Sequence, residues 1–208
     1  SSNNTIYYTR NLEDFRQVRR IAGAQGKLVV NAAYTFDETL LKKYIRLNQE
    51  LSLEEISPAR LLEEFAEVEG NKEHRSFETK ASELLKRFGC ICRLKHFTPV
   101  DTPVIFVAEE KKENSKVANN PLAAVLGSVN AKKRLPPTLT FNADNEMVQT
   151  LLRIQGDNKL FQHVVHILYV QSLLQGKYPV NSEEMELFNH SLSELMTAKM
   201  NDFISFLN

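Results

Sequence analysis

The sequence predicts an α+β fold in two parts, an αβα unit over residues 5–70 and a mixed α/β domain over residues 71–208. Three observations support it. A β-rich stretch, a helical stretch and another β-rich stretch follow one another within residues 5–31. That is a βαβ unit, hence parallel and right-handed. A charged stretch around Gly70-Asn71 marks the division, and strands alternate with helices beyond it. Residues 158–208 read as two helices with more apolar surface than a monomer of this size needs.

Thr5-Ile-Tyr-Tyr-Thr9 is short and β-rich, a strand. Asn11 caps a helix carrying Leu12, Phe15, Val18, Arg19 and Ala22, and Gly23 and Gly26 bracket its exit. Lys27-Leu-Val-Val-Asn31 is apolar enough to be a strand buried on both faces. Asp37 caps the next helix, which runs through Leu40, Leu41, Tyr44 and Ile45. Leu51-Ser-Leu-Glu-Glu-Ile56 is a third strand, and Pro58 opens a helix with Leu61, Leu62 and Phe65 on one face. Past the division, residues 77–88 form a helix stopped by Gly89. Residues 90–97 alternate as a strand, and residues 104–108 form a strand antiparallel to it. Residues 109–120 are polar, and residues 121–129 form a short apolar helix. Thr138-Leu-Thr-Phe141 is one more strand, followed by a turn and a helix with Met147, Val148, Leu151 and Leu152.

The terminal hairpin is the most informative stretch. Its first helix carries Leu160, Phe161, Val164, Val165, Ile167, Leu168, Val170, Leu173 and Leu174. Gly176-Lys-Tyr-Pro179 ends it, with Gly176 in a left-handed turn. Asn181 and Glu184 form an Asn variant of the capping box. In the second helix Met185, Phe188, Leu192 and Leu195 run at heptad spacing. Met196, Met200, Phe203 and Leu207 then take over, because Lys199 occupies the position the first stripe next requires. Two helices with such stripes bury them against a second pair, and a two-fold axis supplies that pair. The expected dimer interface is Leu168, Phe188, Leu192, Leu195, Met196, Met200, Phe203 and Leu207.

Composition narrows the function. Lys plus Arg and Asp plus Glu are both 26, so no basic excess points to nucleic acid. No apolar run reaches the roughly 18 residues of a membrane span. The polar start shows no signal-peptide pattern, and the two cysteines suit a reducing cytoplasm. Cys90, Cys92 and His96 give too few ligands for a structural zinc site, so core packing is the reading and no metal is expected. His163 and His166 share a helix face and are read as interface histidines. No glycine-rich phosphate loop or nucleophile elbow occurs. The helix of residues 121–129, with Leu122, Val125, Leu126 and Val129, is either an exposed interaction patch or docked on the sheet.

The order of elements resembles the heat-shock protein 90 chaperones. Ile6-Tyr-Tyr, a helix, Leu28-Val-Val-Asn31 and a helix from Asp37-Glu38 are similar to the end of that family's middle domain. The helix from Phe77 and its two strands resemble the start of the C-terminal domain. Lys132-Lys-Arg-Leu and Leu139-Thr-Phe-Asn-Ala-Asp-Asn-Glu-Met-Val148 resemble a family stretch containing Asn-Pro-Asp-His-Pro; here Ala143 replaces the first Pro and Asn145-Glu146 replaces His-Pro. The last two helices match the pair that forms a four-helix bundle across the family's dimer axis.

The resemblance implies a fragment of a longer, ATP-dependent cytoplasmic chaperone. ATP and Mg would bind a domain outside this sequence, so the fragment is no enzyme. It would homodimerise and contact unfolded client proteins, with the client helix near residues 121–129. The ending Ile204-Ser-Phe-Leu-Asn208 lacks the acidic tail of eukaryotic cytosolic members, which implies a bacterial, HtpG-like type. Two other readings stand beside it. One is a stand-alone α/β enzyme with a site near residues 31–37, for which Tyr34 and Asp37 are the candidates. The other is a dimeric adaptor with one defined partner.

Overall fold

The computed structural model describes residues 4–108 and 136–207. The chain has a mixed α+β architecture with two sheets. In the first, β1 (Thr5–Thr9) lies between β2 (Leu28–Asn31) and β3 (Ser52–Glu55). Both pairings are parallel: Tyr7 is opposite Val29 on one side and Glu54 on the other. Helices α1 (Leu12–Ala24), α2 (Asp37–Leu47) and α3 (Pro58–Glu63) connect and follow these strands. The Asn11 side chain caps α1 by accepting the Asp14 amide, and Ser57 caps α3 in the same way through Arg60.

Two expectations about this unit are corrected. β2 is an edge strand, so Leu28 is largely exposed and Val29 and Val30 only half-buried. An apolar run alone does not distinguish a central from an edge strand. Asp37 is the first residue of α2 rather than its cap; Phe36 holds the cap position, and the Asp37 carboxylate accepts the Tyr34 amide instead.

The second sheet has the order β4 (Ala66–Glu67), β5 (Ile91–His96), β7 (Thr138–Asn142), β6 (Val104–Val107). β5 and β7 are parallel; β6 is antiparallel to β7 and does not touch β5. β6 therefore runs antiparallel to β5, as expected, but is not its neighbour. β7, although later in the chain, inserts between them. Its Leu139 and Phe141 are fully buried, so it takes the more enclosed central position. β4 pairs with β5, so the second sheet begins on the near side of the expected division at Gly70.

Helices α4 (Lys72–Leu85), α5 (Glu146–Arg153), α6 (Asn158–Gly176) and α7 (Ser182–Leu207) complete the domain. α4 starts earlier than apolar periodicity suggests, because Asn71 caps it through the His74 amide. A short 3₁₀ turn over Lys86–Phe88 ends at Gly89, whose φ of 64° is the left-handed conformation glycine adopts at low cost. The main core joins Phe77, Leu85, Cys92, Phe141, Val148 and Val165, with the Phe77 ring set edge-on to Phe141 and Phe161. A smaller core under the first sheet includes Tyr7, Val18, Ile21 and Phe65, and it draws in Phe97, just past β5, and Ile105 of β6. Phe65 and Phe97 stack at 4.7 Å.

Candidate dimerisation surface

The surface in question is the outer face of the terminal hairpin. Asp157 caps α6 by accepting the Lys159 and Leu160 amides. The α6 residues Phe161, Val165, Leu168, Tyr169, Val170 and Leu173 are all buried in the chain's own core. Leu168, expected at the dimer interface, is only 2% exposed. The correction has a simple cause: α6 packs against β6 and α4 as well as α7. A helix apolar on most sides is a buried helix.

The turn out of α6 also differs from expectation. The left-handed residue is Lys177, with φ of 58°, rather than Gly176. Gly176 is needed for another reason. A Cβ there would lie 2.8 Å from the Tyr178 ring. The capping box forms as expected: Asn181 Oδ1 accepts the Glu184 amide at 2.9 Å, and Glu184 Oε2 accepts the Asn181 amide at 2.8 Å.

Polar groups line the seam between α6 and α7. The Tyr169 hydroxyl donates to Glu184 Oε1 at 2.7 Å, and both residues are buried. Burial, then the hydrogen bond and charge of Glu184, raise the Tyr169 hydroxyl well above its usual pKa. His166 Nδ1 lies 3.3 Å from Ser191 Oγ, and the His163 and His190 rings meet edge to face at 5.7 Å. Burial, with smaller contributions from Arg87, His163 and His190, lowers His166 to about 4. His163 and His166 therefore pack between two helices of one chain, where sequence had placed them between subunits. At the hairpin base Arg87 pairs with Glu183 at 2.9 Å, and Phe88 stacks on Tyr169 at 5.4 Å.

These pairings show that α6 and α7 are antiparallel, and they place the start of α6 abreast of residues 195–199. The rest of α7 runs past the end of its partner. Along α7 the inward seam is Glu184, Phe188, Ser191 and Leu195, with Glu184 and Ser191 buried and Phe188 and Leu195 half-buried. Phe188 packs on the main core. Beyond the seam Leu192 is 39% exposed, and Met196, Met200 and Phe203 are 57–62% exposed. At 100° per residue these four share an arc of about 80°. The structure thus divides the expected interface. Leu168 and Phe188 belong to the chain's own core, while Leu192, Met196, Met200 and Phe203 form an outward stripe. The Leu207 side chain lies outside the described residues.

One contributor went unnoticed in sequence. Phe206, at 85% the most exposed of the large apolar side chains among the described residues, follows Phe203 at i+3, and Leu160, already named on the first helix, is exposed at the start of α6. A strict heptad count passes over Phe206; a count at helical spacing would have found it. A second apolar stripe, Leu40, Tyr44 and Leu47, lies on α2, which has no buried residue. Beside it Glu38 pairs with Arg10 and Lys42; the Lys42 bond lowers the Glu38 pKa against the opposing effect of desolvation, and the Arg10 charge adds to the lowering.

The remaining candidates fall as follows. Cys90 and Cys92 are buried in the core, and the Cys90 sulfur, then burial, raise the Cys92 thiol far above its usual range. His96 Nδ1 lies 2.7 Å from Asp144 Oδ1. Asn31 and Asp37 are taken up by local turns, accepting the Ala33 and Tyr34 amides, and Tyr34 is exposed. Leu122, Val125, Leu126 and Val129 lie outside the described residues. Among the described residues no helix is long and apolar enough to cross a membrane. The sequence matches no protein-family model, and no curated protein matches it.

Proposed function

We propose that the chain is the C-terminal part of a heat-shock protein 90-like chaperone, which joins two copies through α7 and contacts unfolded client proteins. The observation that carries this reading is the stripe of Leu192, Met196, Met200 and Phe203, exposed among the described residues, on a helix that outruns its hairpin partner. A second copy related by a two-fold axis would present the same stripe and close a four-helix bundle. Exposed methionines and phenylalanines at this density are costly in water, at about 25 cal/mol for each Å² left uncovered. Client contact is assigned to Leu122, Val125, Leu126 and Val129 on the resemblance alone. In this reading ATP and Mg bind a domain outside the present sequence, the chain itself is no ATPase, and the protein works in the cytoplasm.

The test is assembly. Light scattering at tens of micromolar (about the range that detects stable interfaces) should give a dimer for the unaltered chain. Leu192→Glu and Phe203→Glu should give folded monomers, because each places a charge in the stripe. Cys90→Ser, buried in the chain's own core, should stay dimeric. A dimer in both glutamate variants would remove α7 from the interface, and a monomeric unaltered chain would overturn the proposal.

A further inference from the structure

We infer that the groove between α5 and α6 receives the free end of α7 from a second copy of the chain, with Phe203 and Phe206 as the inserted side chains. The inference rests on the assembly through α7 proposed above and names what each overhanging end meets. Met147, Leu151 and Ile154 recur at i, i+4 and i+7, so α5 carries an apolar ridge that continues into the turn after it. That ridge and Val164 of α6 enclose a groove of about 350 Å³, with Glu146 and Thr150 also lining it. Leu151 is buried at its floor, while Met147 is 52% exposed and Glu146 and Thr150 are exposed. The groove is therefore open among the described residues. Leu160, one turn before Val164 on the same face of α6, is exposed as well and lengthens the apolar surface.

Three observations make a second copy the occupant. The groove opens near the start of α6, the end of the hairpin past which α7 runs. Yet Phe203 and Phe206 stay largely exposed, so the chain's own groove does not take them. A two-fold axis along the hairpin pairs the α7 stripes and sets both overhanging ends beside both grooves. Each groove then meets the partner's overhang, and the contact is made twice. Finally, stable interfaces use roughly 20–30 residues a side, and the stripe of Leu192, Met196, Met200 and Phe203 supplies four. The groove and the overhang widen that interface with the aromatic and methionine side chains that interface cores favour.

The test is cross-linking between whole chains that carry one added cysteine each. Thr150→Cys marks the groove, and Lys199→Cys marks α7 one turn before Phe203. Tagged Thr150→Cys chains are mixed with untagged Lys199→Cys chains, left to exchange, and treated with a short bis-maleimide. A product joining tagged to untagged chain should form, and the unaltered chain, whose two cysteines are buried, should give none. Met147→Glu places a charge at the mouth of the groove on an exposed side chain. It should raise the dimer dissociation constant about tenfold, or about 1.4 kcal/mol, and leave the melting temperature of the dissociated chain unchanged. Light scattering on the same samples separates this inference from the reading it rests on. Monomers throughout would overturn both. Dimers that give no mixed product, or an unchanged dissociation constant in Met147→Glu, would overturn the groove contact and leave assembly through α7 standing.

Discussion

Asn142 organises the loop that joins β5 to β6. It is fully buried at the end of β7, and its Nδ2 donates to the Phe97 carbonyl at 2.9 Å, with the Pro99 and Thr102 carbonyls also in reach. Its Oδ1 accepts the Asp144 amide at 3.1 Å. Replacing it with leucine leaves these groups without a partner in a dry site. Asn142→Leu should cost about 2–4 kcal/mol in urea or guanidinium unfolding. In sequence, Asn142 read as an ordinary turn former, since nothing local shows which distant carbonyls an amide will meet. His166 makes a second residue-scale prediction. Its folded pKa is depressed to about 4 from an ordinary 6.5. Between these values the unfolded chain holds a proton that the folded chain does not, so stability rises with pH across this window and falls on acidification. At about 1.4 kcal/mol per pKa unit, the full loss is about 3 kcal/mol. Chemical unfolding at neutral and mildly acidic pH should show it, and His166→Gln should flatten the slope.

At the level of elements, type was more legible than neighbourhood. Strand and helix positions followed from alternation, caps, glycines and prolines, as with Asn11, Pro58 and the Asn181–Glu184 box. Which strand sits beside which did not, because β7 reaches its central place only through long-range pairing. The same limit divided the hairpin. Both helices look apolar in sequence, yet α6 is enclosed and α7 is half bare. The difference is measurable. Leu168→Ala should cost about 2–5 kcal/mol in equilibrium unfolding, as a core truncation does. Met200→Ala should change the stability of the dissociated chain by about 0.5 kcal/mol or less. Equal costs would contradict the burial described for these helices.

For the whole molecule, the two sheets are joined by side chains rather than by a shared strand. Phe97 and Ile105 enter the smaller core, Phe65 stacks on Phe97, and the Tyr178 hydroxyl donates to Gln17 Oε1. These contacts tie the first sheet and its helices to the second sheet and to the base of the hairpin. Assembly through α7 would link stability to concentration. The melting temperature of the unaltered chain should rise with protein concentration, and that of Phe203→Glu should not.

The amino-acid sequence alone determined the α+β class, the parallel β1–α1–β2 unit, most helix starts and the apolar excess of the last helix. Each depends on residues close together in the chain: an alternation, a cap, a stripe. It did not determine that Leu168 and the two histidines of α6 face inward, that β7 parts β5 from β6, or that Gly176 makes room for the Tyr178 ring. Those depend on what lies opposite each residue. Packing chose among several partners that local sequence allowed, and α7 became the exposed helix because it turns one stripe away from α6 and runs past the start of α6.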